Sequence, residues 1–336
     1  MVTVGIDVAK ATLECVVWDA DAHPVSSALG RVPNTPDGWQ TLALQLAAQG
    51  VTVVTVVLEP TGGYEVGVAL WALAQPGWQV MRPHPHQVRA WAKSQGRRAK
   101  TDRQDAQVLA QYGAQVPAPC APWRPLPSEV SDLEQLLRQR DEVEALLHRQ
   151  RTRQQLQQAR PDIPASVPES QARLIAALEQ EHTTVEEAIA AHLAQHPPLA
   201  QTRDRLRSVP GVGARNVLPL LVTLTRWQTL TEGHGSPKGL AAFVGLDPQP
   251  YQSGTSVHRR ATISRQGNPD LRRRLYMGAL GGKRGDNAVR AFYQRLVDRG
   301  KPKKVALVAA ARKILLWSWA VFHSGVPFHA TTASAA

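Results

Sequence analysis

The sequence predicts an α/β domain at the N-terminus, then a long helical hairpin, then a mainly α-helical C-terminal domain. Strand-like runs of β-branched residues alternate with segments of helical spacing over residues 1–122. A proline-rich stretch follows at 116–127, and two long polar helices come after it. We place the domain boundaries at 1–122, 123–200 and 201–336, which agrees with a chain long enough for sizeable cores.

The first domain is predicted from alternating strands and helices. We expect strands at 2–8, 13–18, 51–58 and 78–81, and helices at 39–49, 64–74 and 87–95. The run at 51–58 is almost entirely β-branched, which is typical of a central strand covered on both faces. Asp7 lies near the end of the first strand, and Glu59 follows this central one. Two strands therefore deliver carboxylates at their C-terminal ends.

A second pair of acids, Asp102 and Asp105, stands at the predicted start of a helix over 101–112. Residues three apart share one helix face, so the two carboxylates point the same way. Acids at a helix N-terminus also stabilise the helix dipole without any metal, and a single Asp at a strand end is commonly a turn residue. These structural interpretations stay open for each acid taken alone.

Asp7, Glu59, Asp102 and Asp105 together match the pattern of ribonuclease-H-like nucleases. In that pattern, two divalent ions about 3.5–4 Å apart clamp the attacking and leaving oxygens of a phosphodiester. Carboxylate ligands suit Mg²⁺, with Mn²⁺ as the alternative. Four neighbouring acids fall at other positions and are interpreted as solvated or capping: Glu14, Asp19, Asp21 and Glu65.

The charge balance favours a polyanionic partner. Lys and Arg total 39 against 27 acids, giving a formal net charge of +12 and a pI near 10.2. Nucleic acid is the leading candidate. A pocket for an acidic substrate does not require so many surplus positive charges, so the charge balance favours a polyanion over such a pocket.

Cysteine content and hydropathy argue against several other classes. Cys15 and Cys120 are far apart and lack a metal-ligand spacing, so the sequence indicates neither a disulfide framework nor a zinc site. No signal-peptide pattern precedes the first strand, and Arg312 and Lys313 interrupt the apolar segment 305–322. We therefore expect a cytoplasmic protein without a membrane span.

The middle of the chain predicts a helical hairpin. A helix over 128–159 carries a narrow apolar stripe among Arg, Gln and Glu, and a second helix covers 170–195. Pro161, Pro164 and Pro168 require a turn, so the two helices return antiparallel. We expect this coiled-coil arm to join subunits, and the alternative is a hairpin packed only on its own domain.

The C-terminal domain opens with a glycine-rich turn at 206–213, which leads into an apolar helix over 215–223. This arrangement resembles a helix-hairpin-helix. Backbone amides at Gly211 and Gly213 would hold a phosphate at the helix N-terminus without reading base sequence. A turn that simply joins two helices is the alternative.

Ser253 precedes a glycine and lies close in sequence to many arginines. Guanidinium groups attract DNA phosphates and stabilise the added charge of a phosphoryl-transfer transition state, although most Ser-Gly pairs are turns. Ser256 and Ser264 are the competing nucleophiles in this segment. We expect nucleic-acid contacts from Lys100, Arg103, Gly211, Gly213, Arg259, Arg260, Arg265, Arg272 and Arg273.

In combination, these motifs resemble the DEDD transposases of bacterial insertion sequences, which are bridge-RNA-guided serine recombinases. The resemblance spans nearly the whole chain. It rests on GIDVAK at 5–10, EPTGGY at 59–64, KTDRQDA at 100–106, VPGVG at 209–213, and SG at 253–254 with GNPDLR at 267–272.

The resemblance implies a RuvC-like N-terminal domain in which Asp7, Glu59, Asp102 and Asp105 bind Mg²⁺. It implies a C-terminal transposase domain in which Ser253 is the nucleophile. It also implies a structured non-coding guide RNA that pairs with donor and target double-stranded DNA. Finally, it implies a homodimer or homotetramer whose active sites are assembled from two subunits, located at the bacterial nucleoid.

Two other functions are compatible with the residues. A structure-selective, junction-resolvase-like endonuclease would use the acidic residues to activate water, with Ser253 only in a turn, and covalent trapping of DNA separates it from the serine mechanism. A non-enzymatic nucleic-acid-binding protein would need only the basic C-terminal half, and metal-dependent cleavage would exclude it.

Overall fold

The computed structural model describes residues 2–19, 27–96, 101–116, 122–158, 160, 162–253 and 257–329. The side chains of residues 27, 28, 158, 251–253 and 257–260 lie outside the description. The chain divides into two compact units, Met1–Pro125 and Leu126–Ala336. The second unit contains both the predicted hairpin and the predicted C-terminal segment.

The first unit is built on a mixed five-stranded sheet with the strand order β3-β2-β1-β4-β5. Its strands are β1 (Val2–Val8), β2 (Thr12–Asp19), β3 (Ser27–Pro33), β4 (Val54–Leu58) and β5 (Gln79–Met81). β1 is antiparallel to β2 and parallel to β4. All residues of β4 are buried, as expected of a strand with helices over both faces.

Helices form the two outer layers of this unit. They are α1 (Pro36–Ala48), α2 (Tyr64–Leu73), α3 (Pro85–Ser94) and α4 (Asp102–Gln115). One face of the sheet packs against α1 and α2 through Leu42 and Val68, and the other packs against α3 and α4 through Val88 and Val108. The sheet is therefore the middle of three layers.

Two features of the first unit differ from the sequence prediction. β3 was not predicted, because its sequence SALGRVP lacks a β-branched run, and it becomes a strand by pairing with β2. β4 begins at Val54 and not at residue 51, and Val53 is 63% exposed. A β-branched composition does not by itself locate where pairing with β1 begins.

The second unit is mostly helical. Its helices are α5 (Ser128–Gln158), α6 (Ser166–Gln195), α7 (Pro197–Arg207), α8 (Ala214–Leu230), α9 (Pro237–Val244), α10 (Pro269–Gly282), α11 (Ala288–Asp298) and α12 (Lys303–Ser324). Strands β6 (Pro248–Ser253) and β7 (Val257–Ile263) form an antiparallel hairpin between α9 and α10.

Prolines in this unit do not end helices where the sequence suggested. Pro168 was assigned to the turn but lies in the first turn of α6, where a proline lacks only an N–H that has no partner within the helix. α8 continues through Pro219 to Leu230, beyond the predicted end at 223. The β6–β7 hairpin was not predicted, because its polar and arginine-rich sequence does not show a strand pattern.

The base of the helical hairpin shares the core of the second unit. Val130 and Leu133 of α5 and Ile189 of α6 belong to the same buried cluster as residues of α8 and α12. Farther out, Val143, Leu147 and Ile175 form a separate small cluster between α5 and α6. The hairpin is thus anchored at one end and held by a narrow seam at the other.

Among the described residues, α12 is long and apolar enough, by length and composition alone, to cross a membrane. Its apolar side chains are nevertheless part of the core, since Ile314 and Leu315 are fully buried and Trp317 and Trp319 are 5% exposed. α12 is therefore the central core helix of the second unit.

Candidate functional site

Two of the predicted acids, Asp7 and Glu59, come from neighbouring strand ends. β1 and β4 run parallel with Ile6 opposite Leu58, so the next residues along the two strands are Asp7 and Glu59. Parallel neighbours lie about 4.8 Å apart. Both acids are partly exposed. The sheet therefore brings these two carboxylates to the same end, as predicted from the strand pattern.

Helix α4 lies directly on β1 because glycines remove the side chains between them. A Cβ on Gly5 would lie 1.9 Å from the carbonyl oxygen of Ala106, and a Cβ on Gly113 would lie 3.0 Å from Cγ2 of Thr3. Since the later helix residue faces the earlier strand residue, α4 runs antiparallel to β1. Asp7 is two residues beyond Gly5 on the same strand face, so it points to the N-terminal turn of α4.

That N-terminal turn carries the other two predicted acids. Thr101 caps the helix: its Oγ1 accepts a hydrogen bond from the Gln104 amide at 3.3 Å, and its carbonyl accepts one from the Asp105 amide at 2.8 Å. Asp105 is partly buried, whereas the side chain of Asp102 is 65% exposed. The N-cap fixes where α4 begins and thereby where both carboxylates leave the backbone.

Arg31 is a site residue that sequence reasoning missed. Its Nη2 donates to Oδ2 of Asp102 at 3.0 Å, and its Nε donates to Oε2 of Glu14 at 3.3 Å. Glu14 pairs with Asp7 across β1 and β2, and with Arg31 across β2 and β3. A transverse row of charged residues thus crosses the sheet at the strand ends and reaches α4 through Arg31.

Glu14 also differs from its prediction as a solvated or capping acid, because its side chain is only 13% exposed and belongs to this row. The alternation of side chains along β2 places Glu14 on one face of the sheet. Its partner Arg31 lies on β3, a strand that the sequence did not predict. The strand register is therefore the information that sequence reasoning lacked.

Glu65 is buried and holds the loop that follows Glu59. Its Oε2 accepts hydrogen bonds from the Thr61 amide at 3.1 Å and the Gly63 amide at 2.9 Å, and its Oε1 accepts one from Arg82. Burial raises the pKa of Glu65. These amides and the Arg82 guanidinium lower it by more than burial raises it, so the pKa of Glu65 lies below its usual range. Glu65 is a capping residue, as predicted, but it is not solvated.

The carboxylate set suits a hard divalent cation. Asp7 and Glu59 at the strand ends, with Asp102 and Asp105 in the nearby helix turn, offer only oxygen ligands, which Mg²⁺ and Mn²⁺ favour. Among the residues that the structure describes, no three Asp, Glu, His or Cys side chains are clustered closely enough to hold an ion as they stand. Asp102, which is paired with Arg31 in this structure, would have to leave that pair to bind an ion together with the other acids.

Two predicted nucleic-acid contacts are close in sequence to this acidic turn. Arg103 is exposed in the first turn of α4. Lys100 lies outside the described residues. Arg103 therefore presents its charge to solvent beside the acids.

Ser253 is the last residue of β6, and its backbone pairs with Val257 at the end of the β6–β7 hairpin. Its side chain lies outside the described part of the structure, as do those of Arg259 and Arg260 on β7. The backbone register puts Arg259 opposite Tyr251, two residues before Ser253. The predicted nucleophile and two of the predicted arginines thus share one short hairpin.

The competing serines differ in their surroundings. Ser256 lies outside the described residues. The Ser264 hydroxyl donates a hydrogen bond to the carboxylate of Asp247. This bond holds the chain at the exit of β7 against the entry to β6.

The arginines after the hairpin have separate structural roles. Arg272 donates from Nη1 to three backbone carbonyl oxygens, at 3.0, 3.1 and 3.5 Å, and so fixes the turn before α10. Burial and the charge of Arg265 lower the pKa of Arg272. Arg273 is 69% exposed and pairs with Asp270 at 2.6 Å. Arg265 and Arg273 therefore face solvent, whereas Arg272 is engaged within the fold.

The glycine-rich turn before α8 combines a packing glycine with an open one. Gly211 has φ +88°, and a Cβ there would lie 2.6 Å from Cδ1 of Ile314. Gly213 has no atom within 4 Å of its Cβ position, and its amide donates to Oδ1 of Asn216 at 2.7 Å. A groove of about 590 Å³ follows this turn, with Arg215 and Arg273 on its walls. Gly213 is open to solvent, but its amide is engaged by Asn216, so the phosphate contact expected from this amide would require that hydrogen bond to break.

Family models match most of the chain. A transposase model of the IS110 DEDD type matches residues 4–161, and a model described as transposase IS116/IS110/IS902 family matches residues 203–294. The first match contains all four predicted acids, and the second contains Ser253.

Two related proteins match over nearly their whole length. The pilin gene-inverting proteins of Moraxella bovis and Moraxella lacunata are each 31% identical to this chain, covering 97% of it and 97% of the relative. An insertion element IS110 uncharacterized 43.6 kDa protein of Streptomyces coelicolor is 33% identical over 46% of this chain and 36% of its own length.

A solved structure, T. thermophilus RuvC in complex with a Holliday junction substrate, aligns with 34% of this chain and 92% of its own length. Its sequence identity is 18% and its TM-score is 0.27.

Proposed function

Because this chain belongs to the IS116/IS110/IS902 family of transposases, we propose that it excises and inserts an insertion sequence by RNA-guided DNA strand exchange. As a transposase it is an enzyme that cleaves and rejoins DNA strands. The observation that carries the proposal is the parallel pairing of β1 with β4, which puts the positions of Asp7 and Glu59 at neighbouring strand ends, together with the close approach of α4 to β1. A RuvC-like fold of the first unit is part of the proposal.

The acidic residues and Ser253 have complementary chemical roles. Asp7, Glu59, Asp102 and Asp105 would hold Mg²⁺ or Mn²⁺, which when bound neutralises phosphodiester charge and lowers the cost of forming a serine alkoxide. Exposed arginines of the second unit would hold the scissile phosphate. A serine hydroxyl is a weak nucleophile at neutral pH, so this assistance is needed.

The proposed cleavage is a phosphoryl transfer to serine. The Oγ of Ser253 loses its proton to solvent and attacks phosphorus, the Oγ–P bond forms, and the bond from phosphorus to one sugar oxygen breaks. That oxygen takes up a proton and becomes a free hydroxyl end. The phosphoserine keeps the energy of the phosphodiester, so attack by another DNA hydroxyl reverses the step without ATP.

The basic balance of the chain supports two polyanionic partners, double-stranded DNA and a structured guide RNA. The name of the Moraxella bovis relative describes inversion of a gene, which also needs strand cleavage and rejoining. A homodimer or homotetramer joined through the α5–α6 hairpin would supply paired active sites. The narrow outer seam of that hairpin supports this arrangement.

Covalent trapping tests the serine mechanism. Protein incubated with guide RNA, Mg²⁺ and nicked DNA should give a shifted band on denaturing electrophoresis, which Ser253→Ala loses while DNA binding persists. Ser264→Ala is the matched control and should keep the band. Mass spectrometry of the nuclease-trimmed adduct chooses among Ser253, Ser256 and Ser264.

Three outcomes would overturn parts of the proposal. An adduct that survives in Ser253→Ala removes Ser253 as the nucleophile. Efficient cleavage by that variant without an adduct identifies a junction-resolvase-like endonuclease that activates water. Strand exchange retained in folded, RNA-loaded Asp102→Ala or Asp105→Ala would remove that residue from the site.

A further inference from the structure

The C-terminal segment carries most of the chain's surplus positive charge. Residues 287–336 contain eight Lys or Arg and one Asp, which amounts to seven of the twelve net positive charges. None of these cations is among the residues assigned above to nucleic-acid binding. They are Arg290, Arg295, Arg299, Lys301, Lys303, Lys304, Arg312 and Lys313.

Three of these cations are drawn together where α11 meets α12. Partial burial, with the charges of Arg295 and Arg312, lowers the pKa of Lys313. The Nε of Arg312 is buried and has no hydrogen-bond partner. No ion pair joins any of the three to a carboxylate within the described part of the chain. Arg295, Arg312 and Lys313 therefore lie close to one another without the carboxylates that usually pair with neighbouring cations.

Aromatic rings partly offset this repulsion. The Nζ of Lys313 lies 5.7 Å from the ring centroid of Trp317, and the Cζ of Arg295 lies 5.3 Å from that of Phe292. Cation–π contacts hold the long side chains in place but leave their net charge unchanged. An arrangement that costs free energy in the isolated protein becomes favourable when an anion neutralises it.

The size of the surface selects the kind of anion. Lys303 in the first turn of α12 is exposed, and ten residues separate it from Lys313, which amounts to about 15 Å along the helix and about 80° around its axis. A duplex carries about nine phosphate charges over that length, at about 1.7 Å per charge. A single phosphate ion cannot engage both ends, whereas a nucleic-acid backbone can.

We propose that this α11–α12 surface, centred on Arg295, Arg312 and Lys313 and extended by Lys301 and Lys303, binds the phosphate backbone of a nucleic-acid duplex. The inference rests on the proposed function and adds a contact surface to it. Cations of this kind position a duplex and do not read its sequence. Its contribution is therefore equal for different base sequences and falls with salt.

The test is the salt dependence of binding by the full-length protein. Fluorescence anisotropy is recorded over a KCl series, without divalent metal, for DNA and RNA duplexes of one sequence and about 30 base pairs. The affinity of the triple variant Arg295→Gln, Arg312→Gln, Lys313→Met should be lower than that of the parent by a factor of up to about ten. Its slope of log K against log salt should fall by about 2 to 3, because each lost phosphate contact removes about 0.9.

A matched variant removes the same charge elsewhere. Arg149→Gln, Arg153→Gln and Arg173→Gln change three exposed arginines of α5 and α6, and this protein should keep the parental slope. If the first triple variant does not fold, Lys301→Gln together with Lys303→Gln decides, since both lysines are exposed. This double variant should lower the slope in the same direction.

The outcomes separate the possibilities. A loss confined to DNA or to RNA identifies the bound backbone, and a loss with both supports a surface that accepts either. Unchanged slopes with both duplexes, or an equal fall in the α5–α6 variant, would overturn the proposal. Binding is measured without cleavage, so failure here leaves the Ser253 adduct assay unaffected, and failure of that assay leaves this result unaffected.

Discussion

Replacing Gly5 with alanine should displace the helix that carries two of the four acids. The added Cβ would lie 1.9 Å from the Ala106 carbonyl oxygen and 2.4 Å from the Ala110 amide nitrogen. Both atoms belong to the backbone of α4, so neither can rotate away as a side chain would. The helix must move or the substitution must unfold part of the unit.

The size of the effect follows from that distance. Restoring a separation of 3.0 Å from 1.9 Å requires α4 to retreat by about 1.1 Å. Overpacking of a well-packed core costs typically about 1–3 kcal/mol, and backbone on both sides places Gly5→Ala near the upper value, about 3 kcal/mol. A misplacement of about 1 Å in a catalytic group lowers the rate by about a hundredfold. We expect strand exchange to fall by about that factor.

Hydrogen exchange detected by mass spectrometry measures the effect in the first unit alone. Peptides from 102–115 should exchange faster in Gly5→Ala, whereas peptides of α5 and α6 should be unchanged. Gly281→Ala is the control, since its Cβ position has no atom within 4 Å and alanine favours helix. Parental protection of α4 together with parental strand exchange in Gly5→Ala would refute the close contact between α4 and β1.

Three further predictions concern the surroundings of the site. Glu65→Gln should destabilise the first unit by about 3 kcal/mol because it removes the buried negative charge that pairs with Arg82. Since the pKa of Glu65 is lowered, denaturant titrations should show this contribution to stability above the unfolded pKa and its loss as the pH falls through the folded pKa. Arg31→Met should change the stability of the first unit by less than about 1 kcal/mol, because the pair with Asp102 is exposed. The same variant should bind Mn²⁺ more strongly in calorimetry, because Asp102 no longer has Arg31 as a partner. An unchanged affinity would contradict the proposal that Asp102 leaves Arg31 to bind the metal. Deleting residues 144–182 removes the outer part of the hairpin and keeps its base, where Val130 and Ile189 belong to the core. The particle mass found by light scattering should fall by more than the deleted residues account for. A variant that keeps the parental number of subunits would exclude the arm as the main interface.

The acid-bearing elements of the first unit could be predicted because local signals and the fold agree there. The β-branched run before Glu59 gives a buried strand, and Thr101 supplies an N-cap for the helix that begins at Asp102. Each signal lies within a few residues of the acid that it positions. The parallel pairing of β1 with β4 then follows from the connection through α1.

Long-range contacts could not be predicted in the same way. Arg31 reaches Asp102 across 71 positions of sequence, and only the register of β2 with β3 brings it there. Arg272 looked like one more surface arginine, yet its guanidinium bonds backbone carbonyl oxygens of a turn whose shape the sequence does not reveal. Charge identifies the residues that can meet a phosphate, and packing decides which of them are engaged elsewhere.

Both units use the same physical means to hold the elements that carry their candidate sites. Gly5 lets α4 contact β1, and Gly211 lies against Gly278, whose own Cβ would fall 2.3 Å from the Gly211 carbonyl oxygen. Backbone contact fixes each element without using a side chain, so the acids and arginines beside it remain at the surface. Phosphoryl transfer is catalysed chiefly by positioning and electrostatic stabilisation. Substitutions at these glycines should therefore impair strand exchange as severely as loss of a site residue, even though no glycine takes part in the chemistry.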